Sequence, residues 1–153
     1  MDAERVRAIV ARFAHLEETV QWGENLVFWV GDKAIGGKMF ALVDMDRDGP
    51  VMSFSAGPQR YAELLEREGV IPAPYMARIH WVALEHWGAL DARELAECLA
   101  NAHAMTYAKL PKRTKDGLAM PAKERRLLVE QRREALAAAK AAKSEGKKRH
   151  SRV

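Results

Sequence analysis

Residues 69–87, GVIPAPYMARIHWVALEHW, constrain the fold of this chain more than any other stretch. They hold two of the six prolines, two of the four tryptophans and two of the five histidines, too many rings for a plain surface connection. Pro72 and Pro74 fix their own φ and push Ile71 and Ala73 towards extended geometry. The chain is therefore stiff here without being helical, and it delivers Tyr75, Arg78, His80 and Trp81 in fixed directions. The segment is either core-forming or a binding wall. Its latter half, residues 79–85, reads as a strand, and an even separation would put His80 and His86 on one face of it.

The chain around this stretch alternates between two periodicities. Val6, Ile9, Val10 and Phe13 fall at i, i+3, i+4 and i+7, which predicts a helix over residues 2–13. After a polar connection, residues 24–30 (ENLVFWV) predict a strand with Leu26, Phe28 and Val30 on one face and Val27 and Trp29 on the other. Gly31-Asp32 fits a two-residue hairpin turn into a strand over 33–43, interrupted at Gly36-Gly37 by a bulge or a close backbone approach. A turn over 44–49 and a strand over 51–56 complete an antiparallel meander. Gly57 as N-cap, Pro58 and the stripe Tyr61, Leu64, Leu65 predict a short helix ended by Gly69. Asp91 and Glu94 have the spacing of a capping box, opening a helix to about Lys109 with Leu95, Cys98, Leu99, Ala102 and Met105 on one side. Residues 110–120 carry Pro, Gly and charges and read as a linker. Beyond Pro121 an Ala-, Arg- and Lys-rich run predicts a further helix that frays over residues 147–153.

The fold class expected is α+β, a curved antiparallel sheet backed by helices, with a basic helical extension at the C-terminal end. The pieces Trp22-Gly23, Phe28-Trp29-Val30, Gly37 to Ala41 (GKMFA), Pro72-Ala73-Pro74-Tyr75 and His80-Trp81-Val82, with Leu110-Pro111-Lys112 closing the module, resemble the MmcQ/YjbR family of small bacterial proteins. The likeness covers about residues 2–115 and implies a fold similar to frataxin and secretion chaperones. It also implies DNA binding, the activity by which members are commonly described. Two features depart from the family pattern. Residues 32–36 look like additions to the hairpin, and the basic region after about residue 116 lies outside the module. The expected division is a domain over 1–115 and an extension over 116–153.

Charge sharpens the functional expectation. Residues 1–108 carry ten Lys/Arg against sixteen Asp/Glu, a balance of −6, whereas residues 109–153 carry fifteen against five, a balance of +10. Attraction to a polyanion would come mainly from the tail, where Arg125, Arg126, Arg132, Arg133, Lys140 and Lys143 lie on the candidate helix and Lys147, Lys148 and Arg149 follow it. On the module, Lys38 and Arg78 with Trp22, Tyr75, His80 and Trp81 define a candidate aromatic and cationic cleft for phosphates, single-stranded bases or a small anion. The bland counterpart is that the rings are core and the tail a solvated helix. The function expected is non-catalytic nucleic-acid binding, most naturally to DNA; the alternative is a ligand- or protein-binding module whose cleft takes a small anion or peptide.

Chemistry is thinly represented. Cys98, the single cysteine, lies on an apolar stripe, so no intrachain disulfide and no activated nucleophile is expected. Cys98 and His103 stand about 140° apart round a helix, poor geometry for a shared metal. Asp44, Asp46 and Asp48 begin like a calcium loop, but Ser55 stands where the closing glutamate belongs. No catalytic residue, metal or cofactor is expected. The charged start, MDAERVRA, and the shortness of the longest apolar block lead to the expectation of a cytoplasmic protein without a membrane span.

Overall fold

The computed structural model describes residues 1–46 and 48–151, with side chains through Lys148. The chain runs α1 (Ala3–Val10), β1 (Leu16–Gln21), β2 (Asn25–Val30), β3 (Lys38–Asp44), β4 (Met52–Ser55), α2 (Gly57–Leu65), β5 (Val70–Pro72), β6 (Trp81–Leu84), α3 (Ala92–Lys109), α4 (Lys112–Ala119) and α5 (Ala122–Ser151). The strands form one antiparallel sheet in the order β1-β2-β3-β4-β6-β5. This is the α+β architecture with a helix-backed sheet and a C-terminal helix that the sequence predicts.

Alternation along β2 sends side chains to two different interiors. Leu26, Phe28 and Val30 join Phe40, Val43, Met52, Phe54, Val82 and Leu84 beneath the helices. Val6 and Val10 of α1 and Leu95, Cys98, Leu99 and Ala102 of α3 close that same core, so both predicted apolar stripes pack on one sheet. Asp2 caps α1 by accepting from the Arg5 N–H at 2.9 Å, and Asp91 caps α3 by accepting from the Glu94 N–H at 2.8 Å. The capping box is only half formed, because the Glu94 carboxylate takes a bidentate pair of bonds from Arg67 at 2.6 and 2.9 Å. On the opposite face of the sheet Val27, Trp29, Leu42, Ala73, Trp81 and Ala83 make a second, smaller core, joined by Met39, Ile71 and Met76.

Four local expectations change. The two-residue hairpin at Gly31-Asp32 gives way to a longer loop: the Asp32 carboxylate accepts from the Ala34 N–H at 2.8 Å and starts a 3-10 turn, Lys33–Ile35. A short polar side chain that caps its own following backbone competes successfully with a hairpin turn. The polar connection before residue 24 is in fact an edge strand, β1, whose glutamates stay in water. Residues 77–80 are a 3-10 turn ending in a left-handed His80 (φ 60°), so the strand begins at Trp81, and His80 and His86 share no strand. The expected linker is α4, with Thr114, Gly117 and Leu118 buried. Gly117 serves packing there, since a Cβ on it would lie 3.2 Å from Leu128 of α5. The turn over 44–49 includes Arg47, and the predicted fraying end includes Arg152 and Val153; all three lie outside the described residues, as does the side chain of Arg149. Helix α5 itself extends to Ser151.

Gly37 marks the tightest backbone approach in the sheet-loop junction. A Cβ there would sit 2.0 Å from the Gly31 carbonyl oxygen and 2.8 Å from that of Asp32, both backbone atoms that cannot step aside. Gly37→Ala should therefore lower the unfolding free energy by about 1–3 kcal/mol in urea denaturation, the range for overpacking. The same change at Gly146, which meets nothing within 4 Å, should instead raise the helical circular dichroism signal.

Candidate functional site

The aromatic residues singled out in the sequence divide by exposure. Trp81 is buried (3% exposed) in the second core, where it is a structural ring. Trp22 is 62% exposed and Tyr75 fully so, and both line one cleft of about 480 Å³ on the helix-free face of the sheet. The floor of that cleft is Met39, Leu42 and Met76, members of the second core that also holds Trp81. Lys38 and Arg78 are exposed but do not line it. Among the described residues the charged side chain in its lining is Asp44. His80 instead packs edge-on against Tyr61, centroids 5.3 Å apart, while its carbonyl accepts from the Ala56 N–H at 3.0 Å.

Both exposed rings are held by unusual backbone. Trp22 has φ 50° and Tyr75 φ 65°, a region that costs a bulky L-residue about 1–3 kcal/mol. Trp22 sits in the β1–β2 turn, its carbonyl accepting from Asn25 Nδ2 at 3.0 Å. Tyr75 follows Pro74 in a turn closed by the Met76 N–H bonding to the Ala73 carbonyl at 3.1 Å.

The basic residues cluster elsewhere, around a second cavity of about 680 Å³ between α5 and the sheet-loop junction. Arg125, Arg126, Glu130 and Arg133 line it from α5, and His15, Glu17 and Asp32 face them from the body. Arg133 is ion-paired with Asp32, whose side chain is only 13% exposed while Arg133 remains 64% exposed. Arg125 donates to the Leu118 and Met120 carbonyls at 3.4 and 3.5 Å, tying α5 to the C-terminal end of α4. Arg126 bonds back to the Ala122 carbonyl at 3.3 Å. Arg132 lies on another side, with Arg113, Thr114 and Leu128 around a cavity of about 270 Å³. Lys140 and Lys143 are on the outer part of α5, where residues 133–148 are exposed throughout.

Burial raises the Cys98 thiol pKa, against the opposing effect of Arg60, whose Nη1 lies 3.7 Å from the sulfur. His103 Nε2 donates to the Ala14 carbonyl at 2.8 Å and its ring packs on Phe13 and Phe40. Among the described residues no three His, Cys, Asp or Glu side chains come together as a metal site. No helix among them is long and apolar enough to cross a membrane.

The participants missed in the sequence are His15, Glu17 and Asp32 at the basic cavity and Asn25, Asp44 and Met39 at the aromatic cleft. Glu17 lies in strand β1, which its pairing with β2 rather than its own composition reveals. His15 stacks on Tyr107 with ring centroids 6.3 Å apart, and its pKa is lowered from 6.5 by burial first, then by Arg125 and His103. Glu17 moves the other way, raised from 4.5 by burial and by Asp32 against the pull of Arg133 and Arg125; much of its surface is in water, so its effect on stability is small.

These directions set a pH dependence. For His15 the unfolded chain takes up its proton first as pH falls, so the stability it contributes is complete above 6.5 and is lost as pH drops through the lowered folded value. Asn tolerates the left-handed backbone of His15 (φ 61°). His15→Asn should therefore flatten the fall in unfolding free energy between about pH 7.5 and 5.5, measured by urea titration. Glu17 contributes with the opposite sign: its share is present below 4.5 and is lost as pH rises through its raised folded value.

Comparison with known proteins agrees with this architecture. The chain superposes on the crystal structure of Deinococcus radiodurans protein DR2400, described with a DUF419 domain, with a TM-score of 0.68 and 27% sequence identity, covering 78% of this chain and 89% of that one. No curated protein matches it. The family model described as YjbR matches residues 11–105, which run from the end of α1 through most of α3 and leave α4 and α5 outside. By that match this chain belongs to the YjbR family.

Proposed function

We propose that this protein is a non-catalytic nucleic-acid-binding protein that contacts duplex DNA phosphates through α5. The observation that carries the proposal is a stripe of cations on that helix. Arg126, Arg133, Lys140 and Lys147 recur every seven residues, drifting only about 20° per step, and Lys143 falls beside them. The stripe spans about 31 Å at 1.5 Å per residue. That is close to one turn of duplex, about 34–36 Å. Its inner end lies at the basic cavity and its outer end projects into solvent.

The physical logic is charge separation. Residues 1–108, at −6, repel DNA at long range, so association depends on the +10 carried by residues 109–153. Beyond Arg132 the helix is exposed and gains little from packing on the body, and a phosphate backbone offers it counter-charges in a row. The aromatic cleft is not part of this interface, because among the described residues Asp44 rather than a cation lines it.

Substituting Lys140, Lys143 and Lys147 together by Gln should weaken binding to a labelled duplex and reduce the slope of log K against log[salt] by about 2.7, at about 0.9 for each phosphate no longer neutralised. Fluorescence anisotropy between about 50 and 200 mM salt measures both quantities. Unchanged affinity and slope in a variant that keeps its helical signal would overturn the proposal.

A further inference from the structure

The cleft on the helix-free face has features that nucleic-acid binding through α5 does not use. Two large rings, Trp22 and Tyr75, stand in water on left-handed backbone, although burying them would have been the ordinary outcome for aromatic side chains. Backbone of that kind persists where the surroundings over-determine it, and such positions cluster at ligand-binding sites. Between the rings the cleft is apolar and soft, with Met39, Met76 and Leu42. Its wall carries the carboxylate of Asp44. That carboxylate is oriented by the Asp46 N–H, which donates to its Oδ1 at 2.8 Å, and a carboxylate can accept several bonds.

We propose that this cleft binds a small organic cation, an ammonium group carried on an aromatic or aliphatic body. The faces of Trp and Tyr rings are negative and attract cations, and the Asp44 carboxylate adds a full charge of the same sign. An anionic ligand would meet repulsion from Asp44 and, among the described residues, no compensating cation in the lining, since Lys38 and Arg78 lie outside it. The apolar floor accommodates the ligand's body, and Ser53 and Asn25 offer further hydrogen-bonding groups. The site lies within the matched YjbR domain, whereas the proposed DNA-binding stripe lies on α5, so the two can fail independently.

The test is a titration of the full-length protein with benzyltrimethylammonium, followed by ¹H–¹⁵N NMR, with phenylacetate and thymidine monophosphate as anionic comparisons. The cation should produce saturable shifts at the Trp22 indole N–H and at the Tyr75 and Ser53 amides, and both anions should leave these signals in place. Asp44→Asn keeps an oxygen to accept from the Asp46 N–H, so the turn survives; by removing the negative charge it should weaken the cation by about tenfold or more. Trp22→Leu should weaken it by a similar factor without affecting the fold, as the ring is largely outside the core. The Lys140, Lys143, Lys147→Gln variant should bind the cation as the unaltered protein does. Absence of saturable shifts, equal binding of phenylacetate or thymidine monophosphate, or an Asp44→Asn variant that binds undiminished would each overturn the proposal.

Discussion

Strand β2 is apolar on both faces, and the rest of the structure follows from the need to cover it twice. Of its six residues five are buried, with Leu26, Phe28 and Val30 on one side and Val27 and Trp29 on the other. An antiparallel sheet can leave one face to water only if that face is polar, and this one is not. Helices α1 and α3 therefore cover the first face. The second is covered by the proline-stiffened segment after β5, which lays Ala73 and Met76 against Trp29 and Trp81. The pleat itself adjusts: Phe28 pairs with Ala41 and Trp29 with Met39, so Phe40 is an extra residue that turns inward with Ala41. That bulge is what lets Met39 and Leu42 both face the aromatic cleft.

Legibility in the sequence followed burial. Elements with a strong one-sided apolar pattern, such as α1, β2, β4 and α3, were readable because water excludes their apolar stripes whatever the rest of the chain does. Elements at the sheet's margins were not. Strand β1 carries Glu17 and Glu18 and leaves Val20 68% exposed, so its composition resembles a loop, and only pairing with β2 reveals it. Strand β5 is three residues long and ends in a proline, tolerable only because it is an edge. Helix α4 was masked by Lys112, Gly117 and the prolines that flank it. Glycine and proline break isolated helices, yet here Gly117 lets α5 approach and Pro121 precedes the next helix.

The candidate site was legible in residue type and illegible in direction. Tyr75 and Trp22 were identifiable as rings near stiff or glycine-containing turns. Their outward presentation depends on a left-handed φ, which no periodicity encodes for a tyrosine or a tryptophan. Trp81, two residues after Ile79, follows a left-handed His80 that resets the alternation and turns the indole inward. The sign of the cleft depended on Asp44, the last residue of β3, whose side is decided by the bulge. A local shift of one residue in strand register is enough to exchange which charges line a surface.

The β2–β3 loop and the C-terminal helix are physically one feature. Residues 32–36 form the 3-10 turn against which α5 packs, and Asp32 both caps that turn and receives Arg133. Ile35 from the same turn lies beside Leu118 at the basic cavity and beside Leu128 on its other side. The helix therefore does not leave the domain as a loose tail: its first three turns are seated on a loop long enough to receive them. Seating fixes the direction in which the remaining turns project, and it brings Arg125, Arg126 and Arg133 opposite Glu17 and Asp32. These acids offset the inner cations of the stripe, whereas Lys140, Lys143 and Lys147 lie on the exposed outer part of the helix. A polyanion approaching α5 would thus meet the strongest attraction beyond Arg133. To reach further inward it must compete with Asp32 for a guanidinium that is already half in water.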